Sequence, residues 1–412
     1  MNILDNIKKN KFYDILFLLF LLYPTSLVFG PALIEIIIFF SILIFFFFIS
    51  KKKLHSDYNF LNTKIILILL FVSICILSSL LSDNILHSLK SSFFSIRFIL
   101  YTYIIFILLK KQIYIKNFLG FNLCFLFICL IDAYIQLIFN KNIFLFSSEI
   151  VTGFFFGEKK LGRFLITLSP ILIGAYLHIS RKNINLKLIN SLLILIIIFF
   201  ITLFTSERVS MFYASFTLII LILFGIRLSK KYLLFIIIPV IFVIVSYKFQ
   251  INNFNLTVRD SVNQITDYKK SFTYPSKQHR SFMATSYKLF ADKPILGIGP
   301  NNYRNECKKI KIKNRNNCST HPHNIFFQIL GETGLIGSGI YIYFLFIILK
   351  KVVLFVLTNR HRNINIIFLL PVLYFFNPFL PSGNFFNNWF MAIGTFGIPF
   401  YLYFNDIKIK KD

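Results

Sequence analysis

The chain has 412 residues, 57% of them hydrophobic, 18% aromatic and only 15% charged, a ratio that excludes a soluble globular protein. Apolar runs of about 18 or more residues, each long enough to cross about 30 Å of hydrocarbon, recur along its length, and the period-two alternation of a transmembrane β-barrel is not visible. The formal net charge of +28 does not mark a nucleic-acid partner, because Lys and Arg sit in short clusters between apolar spans, as topology determinants do.

Met1 to Lys11 is basic and precedes an apolar stretch with no small-residue cleavage site after it, so it reads as the start of a retained first helix rather than a signal peptide. The fold class predicted is an all-α polytopic membrane protein, one integral membrane domain over 1–412. It has twelve transmembrane helices at 12–29, 31–50, 64–82, 93–110, 117–139, 163–180, 188–206, 209–227, 232–249, 325–349, 364–381 and 385–404. Lys8, Lys9 and Lys11 precede the first helix. Lys51 to Lys53, Lys110 and Lys111, Arg181 and Lys182, Arg227, Lys230 and Lys231, Lys350 and Lys351 with Arg360 and Arg362, and Lys408 to Lys411 follow the even-numbered ones. This alternation puts both termini in the cytoplasm.

Several polar residues fall inside or beside these spans. Asp132 and Gln136 lie in the fifth helix, Glu35 in the second and Arg97 in the fourth. An intramembrane carboxylate is a functional-site candidate by default, with pairing to an Arg as the structural alternative. Arg208 lies in Ser206-Glu207-Arg208, the very short turn between the seventh and eighth helices. Its planar fork suits phosphate oxygens, and the alternatives are an ion pair with Glu207 or snorkelling to the boundary. Cys75, Cys124 and Cys129 read as packing residues within spans.

The segment 250–324 forms a long outward loop subdomain between the ninth and tenth helices. It is basic throughout, which loops longer than about 60 residues tolerate on the outward side. Such a loop points to an anionic lipid phosphate or pyrophosphate, or else carries solvated lysines. Within it, Ser281 to Asp292 has the apolar spacing of a surface helix at Phe282, Tyr287 and Phe290; Pro294 ends it, and Gly297 and Gly299 make the turn that follows. Cys307 and Cys318 either pair across a short loop or remain thiols. No CxxC or HExxH spacing is present, so no metal site is expected.

The loop re-enters the membrane at His321-Pro-His323-Asn324. An imidazole titrating near about 6.5 can take a proton at neutral pH, so His323 is the candidate catalytic base. The competing reading makes His321 and His323 interfacial helix-capping residues. Arg280, beside His279, and more weakly Arg304 would cradle an anionic leaving group. Gly331, Gly334, Gly337 and Gly339 read as small residues for close helix packing that also seats His323.

These residues resemble the O-antigen ligase and polymerase superfamily of bacterial envelope glycosyltransferases. The resemblance rests on His323-Asn324, then nine residues, then Gly334-Leu-Ile-Gly337, which is similar to the family's His-containing ligase motif. It rests also on Lys293-Pro-Ile-Leu-Gly-Ile-Gly-Pro300, similar to the family's Pro-Leu-Leu-Gly-x-Gly-Pro segment, and on the span count with its long loop. Asn301 departs from the small residue the family often has there. The resemblance implies a multi-pass protein of the bacterial inner membrane that performs an inverting, metal-independent glycosyl transfer on the periplasmic face with no cofactor. His323 would be catalytic, Arg208 and Arg280 would bind the undecaprenyl-pyrophosphate donor, and Asn324, His321, Asp132, Gln136 and Arg304 would support them. The acceptor is lipid A-core for a ligase, the reading favoured by the intact motif spacing, or another lipid-linked glycan for a polymerase. A transporter of polyprenyl-linked sugars is the rival from another class, and the lack of mirrored halves argues against it.

Overall fold

The structure is a computed structural model that describes residues 3–50, 63–148, 150–179, 183–226, 229–248, 276–310, 318–357 and 364–406. The basic residues Lys51 to Lys53, Arg181, Lys182, Arg227, Arg360, Arg362 and Lys408 to Lys411, and the loop portion 249–275, lie outside the described residues. The described chain is helical, with one isolated antiparallel bridge between Lys141 and Ser147.

In chain order the long helices are α1 (Ile3–Phe29), α2 (Pro31–Ser50), α3 (Thr63–Leu80), α4 (Ile85–Leu108), α5 (Gln112–Phe139), α6 (Leu161–Ile179), α7 (Ile184–Phe204), α8 (Arg208–Ile226) and α9 (Leu234–Lys248). After the loop come α10 (Lys277–Asp292), α11 (Tyr303–Glu306), α12 (Ile325–Leu357), α13 (Leu370–Phe375), α14 (Asn388–Thr395) and α15 (Gly397–Asp406). Eight of them are long and apolar enough to cross a membrane, with shorter apolar helices over Ile66–Leu80 and Asn365–Phe375. This is a multi-pass membrane protein.

The difference from twelve predicted spans is greatest at the C-terminal end. The spans read at 364–381 and 385–404 are shortened by a break between them. A 3-10 turn over Ile364–Leu369 leads into α13, which stops at Phe375, and helix resumes only at Asn388, where α14 runs on into α15 through Phe396, whose backbone is helical (φ −59°, ψ −32°). Polar Asn377, Ser382, Asn384, Asn387 and Asn388, together with Pro381 and Gly383, break what hydropathy averaging joins. Asn387 caps α14, its side-chain oxygen accepting from Phe390 N at 3.2 Å. Irregular backbone within a membrane bundle is tolerated where it is buried in protein or lines a water-filled cavity, and residues 381–384 line the cavity described below. At α4 the first two turns were missed because His87, Lys90 and several serines dilute the hydropathy.

Lipid offers little hydrophobic drive for helix association, so shape and buried hydrogen bonds hold such a bundle. Phe20 stacks on Phe118 at 4.6 Å and Phe368 on Phe404 at 4.1 Å. Tyr23 donates to Ala392 O at 3.0 Å and Trp389 Nε1 to Leu27 O at 2.8 Å, tying α1 to α14. Tyr213 stacks on Tyr374 at 4.1 Å, and the Tyr374 hydroxyl lies 2.6 Å from Thr217 Oγ1, which joins α8 to α13.

The two glycine motifs meet. Inside α12 the backbone of Gly334 leaves the helix (φ 65°, ψ −161°), and the turn at 294–299 docks on that break. Ile298 N donates to Gly331 O at 3.1 Å, Gly299 N to Glu332 O at 2.9 Å and Leu335 N to Pro294 O at 2.8 Å. A Cβ on Gly297 would stand 2.5 Å from Glu332 C, and one on Gly334 would run into Ile295 O. These glycines therefore seat the loop on α12 by backbone contact, and Gly331 faces Ser286 of α10. The seat is tied to the α3–α4 turn through Asp83, whose carboxylate takes Lys293 Nζ at 2.5 Å and Lys309 Nζ at 3.1 Å; those hydrogen bonds hold it below the usual carboxylate range. Cys307 and Cys318 are joined by a disulfide, with Cα atoms 5.2 Å apart.

Candidate active site

A cavity of about 1240 Å³ opens where the loop, the starts of α6 and α8 and the interrupted C-terminal segment converge. His279, His321 and His323 line it, with Lys159, Lys160, Arg163, Arg208 and Arg304. Glu207 is the one carboxylate among the described lining residues.

His323 sits just before α12 in the left-handed region, with φ 56°, where His is tolerated better than bulky or branched residues. Such backbone costs about 1–3 kcal/mol and persists where the surroundings over-determine it. Ser382 supplies that restraint: its N–H donates to His323 O at 3.0 Å, and its carbonyl takes His321 Nε2 at 3.0 Å. With Nε2 of His321 donating, its Nδ1 accepts from Thr320 Oγ1 at 2.8 Å. The His323 ring lies 4.1 Å from that of His321, 5.3 Å from that of His279 and 5.5 Å from Phe282, and its Nε2 is 3.2 Å from Ser319 Oγ.

Burial is the main force on all three imidazoles and favours the neutral form. It pushes His323 down to about 3, helped by His321 and His279. It brings His321 to about 4, with His279, Arg163 and Arg304 adding to it against the raising effect of the Ser382 carbonyl. His279 is lowered by burial and by Arg208. At neutral pH these imidazoles are therefore in the neutral, proton-accepting form, but so lowered they are weak bases until something raises them. An anion entering among the cations would raise these values toward the working range of a base.

Glu207 explains how the cations are placed. Its Oε1 accepts from Gly162 N at 2.8 Å, and its Oε2 from Arg163 N at 3.2 Å and Ser210 Oγ at 3.0 Å. The carboxylate thus sits on the N-terminus of α6, where backbone N–H groups and the helix dipole favour negative charge, and it binds α6 to α8. Arg163 is held with its guanidinium 4.8 Å from the Phe390 ring. Burial raises Glu207 above the usual carboxylate range, opposed by Arg163 and the amides.

The opposite wall is a network of amides. Glu332, buried in α12, accepts from Asn301 N and Tyr303 N, each at 3.0 Å. Gln328 donates to Glu332 at 3.2 Å and to Asn384 Oδ1 at 2.7 Å, and accepts from Phe385 N at 2.9 Å. Asn384 donates to Asn301 Oδ1 at 3.1 Å.

Of the residues singled out in the sequence, His323, His321, Arg208 and Arg304 converge on the cavity. Arg280 does not line it: one residue on from His279, it lies on the exposed side of α10. Asn324 is buried and caps α12, accepting from Phe327 N at 3.1 Å and donating to Pro378 O at 2.7 Å. Asp132 and Gln136 lie away from the lining and hold the 140–153 connection through its backbone. Asp132 accepts from Ile143 N at 2.8 Å, and Gln136 from Thr152 N at 2.9 Å and Gly153 N at 2.7 Å. Arg163, His279, Ser319, Ser382 and Asn384 were not singled out. Lys159-Lys160-Leu-Gly-Arg163 before an apolar run was the available signal for Arg163.

A sequence profile described as O-antigen ligase matches residues 193–342, from within α7 to within α12. That span carries Arg208, His279, Arg304, His321 and His323, and it supports membership of the O-antigen ligase and polymerase superfamily. No curated protein and no solved structure matches the chain.

Proposed function

Taking as premise a chain that carries an O-antigen ligase family region over residues 193–342, we propose that this protein is a ligase-type membrane glycosyltransferase. It moves a glycan from undecaprenyl pyrophosphate to a sugar hydroxyl of lipid A-core on the periplasmic side of the bacterial inner membrane. The observation that carries the reading is His323, tied by Ser382 N at 3.0 Å, in a cavity of about 1240 Å³ whose lining has five cationic side chains and one carboxylate.

In this reading the donor diphosphate lies among Arg208, Arg163 and Arg304, with Lys159 and Lys160 near by. The imidazole of His323 accepts the proton of the acceptor hydroxyl, and the oxygen attacks the anomeric carbon from the face opposite the diphosphate. The glycosyl C–O bond to phosphate breaks with inversion, and undecaprenyl pyrophosphate leaves with its electron pair. Base catalysis of this kind contributes about 10²–10⁴ in rate, and preorganised donors to the departing charge about 10²–10³ each. The negative diphosphate also raises the affinity of His323 for the proton at the moment it is needed.

The test is reconstitution of purified wild type and His323→Ala with undecaprenyl-pyrophosphate glycan, with and without lipid A-core, following products by gel shift. Product that needs lipid A-core and disappears in the variant is expected. Longer undecaprenyl-linked glycans without lipid A-core would make the protein a polymerase, and normal turnover by His323→Ala would sink the mechanism.

A further inference from the structure

A protein that transfers a glycan between two lipid carriers, as proposed above, must hold two substrates at once. Along α4 the His323 cavity adjoins a polar chamber of about 350 Å³ whose lining includes Glu35, Lys90, Ser91 and Arg97. His87, Asn301, Phe386 and Asn388 line both spaces. The chamber in turn shares Ser95, Phe98, Phe386 and Met391 with an apolar groove between α3, α4 and α12, where Phe71, Val72 and Phe344 form further walls.

The two polar spaces differ in charge. The lining of the main cavity carries five cations against one carboxylate; that carboxylate is engaged by the start of α6, and of the cations Lys160 is paired with Glu158 outside the lining. In the chamber the charge is paired. Arg97 Nη2 lies 2.7 Å from Glu35 Oε1 and 2.9 Å from Asn388 Oδ1, and its Nη1 lies 2.7 Å from Phe94 O. The guanidinium also stands 4.7 Å from the Phe98 ring. Lys90 alone is left as excess charge. An unbalanced cationic cavity favours a diphosphate, whereas interleaved donors and acceptors against aromatic faces suit sugar hydroxyls. A covalent bond joins a lipid-linked sugar to its hydrocarbon chain, so its polar site must adjoin an apolar one, as this chamber adjoins the groove.

We propose that the Glu35–Arg97–Asn388 chamber binds the sugar of the acceptor, with part of a hydrocarbon chain of its lipid anchor in the apolar groove of about 80 Å³, and presents its hydroxyl to His323 past the shared wall, where His87 Nε2 lies 3.2 Å from Asn301 O. The anchored glycan is lipid A-core.

Two measurements in proteoliposomes test this. In the first, Ser95→Trp, which fills the junction of chamber and groove, and the near-isosteric Glu35→Gln are assayed for donor and acceptor KM. The expected result is an acceptor KM raised about tenfold or more by Ser95→Trp and less by Glu35→Gln, with donor KM within about twofold, the pattern of a lost acceptor contact. Parallel rises in both KM values, or an unchanged acceptor KM in both variants, would overturn the proposal. The second does not depend on turnover. Lipid A-core and undecaprenyl-pyrophosphate glycan, each with a diazirine in a hydrocarbon chain, are photolysed on His323→Ala protein. Labelling of 67–75 and 340–344 by lipid A-core, suppressed by Ser95→Trp, is expected of a ligase. The same labelling by the undecaprenyl probe instead, persisting when the diphosphate site is filled with undecaprenyl pyrophosphate, would give the chamber to an undecaprenyl-linked acceptor and overturn the lipid A-core assignment. Labelling by the undecaprenyl probe that undecaprenyl pyrophosphate abolishes assigns the groove to the donor and refutes the proposal, as does no labelling by either. An inactive wild type that still labels would fail the ligase reading alone.

Discussion

The two walls of the His323 cavity are fastened in different ways. On the loop side, residues 294–299 dock on α12 backbone against backbone, through Gly299 N to Glu332 O at 2.9 Å and Leu335 N to Pro294 O at 2.8 Å. On the C-terminal side, residues 378–388 are held mainly by side-chain amides, through Asn324 to Pro378 O at 2.7 Å and Gln328 to Asn384 at 2.7 Å, with one backbone bond from Ser382 N to His323 O at 3.0 Å. Backbone docking leaves no room for a side chain and fixes the loop on α12, while Ser382 of the second wall restrains His323 through its backbone. Amide fastening depends on the identity of each side chain and leaves the wall adjustable by single substitutions. A reactive group on the first wall and hydroxyl-reading groups on the second is the division of labour this difference supports.

The sharpest way to break that comparison is to remove the reactive group. His323→Ala is expected to lower the transfer rate by about 10²–10⁴ with the fold intact, measured as single-turnover rate beside thermal unfolding. Asn384→Ala, on the other wall, should raise substrate KM more than it lowers kcat. The next largest effect separates two arginines. Arg208 lines the cavity and its charge acts on His279, whereas Arg280 is exposed on α10. Arg208→Ala should cost about 10² in kcat and Arg280→Ala about twofold or less. Equal losses would mean that α10 turns to bring Arg280 to the donor.

The helices and the loop-side motifs were legible because each carries a local signal. Apolar runs mark α1 to α8, and Pro294 with Gly297 and Gly299 announces the turn. The C-terminal wall was not legible, since its break at 376–387 lies in a segment whose average hydropathy is that of two spans. Its polar residues find their partners, Gln328, Asn301 and His321, more than 50 positions away. In sequence Arg280 reads as part of an anion cradle because it is a guanidinium beside the imidazole of His279. On a helix, adjacent residues point about 100° apart, and only one of the two can face the cavity. Glu207 was weighed only as a partner of Arg208, yet its carboxylate caps α6, a role set by tertiary contact.

The rigidity of the loop wall can be tested directly. Gly334→Ala places a side chain at φ 65°, ψ −161° and against Ile295 O, a conformation that is nearly glycine-only, at a cost of about 1–3 kcal/mol. The loss should appear as earlier proteolysis and faster amide exchange of residues 276–310, with α1 and α2 unaffected. If exchange rises equally through the bundle, the seat is part of the global fold and the two walls are not independent.

The smallest effect is set by pH. His321 is held near about 4 and His323 near about 3, both below the ordinary value of about 6.5. Between these limits the opened loop binds more protons than the closed one, so closure is fully stable above about 6.5 and weakens as pH falls. The limiting slope is about 1.4 kcal/mol per pH unit for a buried group such as His321, and less for half-buried His323, which solvent screens. Exchange of 318–325 should therefore accelerate between pH 6.5 and 4.5 before the α6–α8 bundle responds. Kinetics separate this opening from catalysis. The acid limb of kcat/KM reports the free enzyme and should lie below pH 6.5, whereas that of kcat reports the donor complex, where the diphosphate draws the histidines back up. A kcat limb at or below that of kcat/KM would mean that the anion does not sit among these imidazoles, and the cationic wall would then serve the glycan instead.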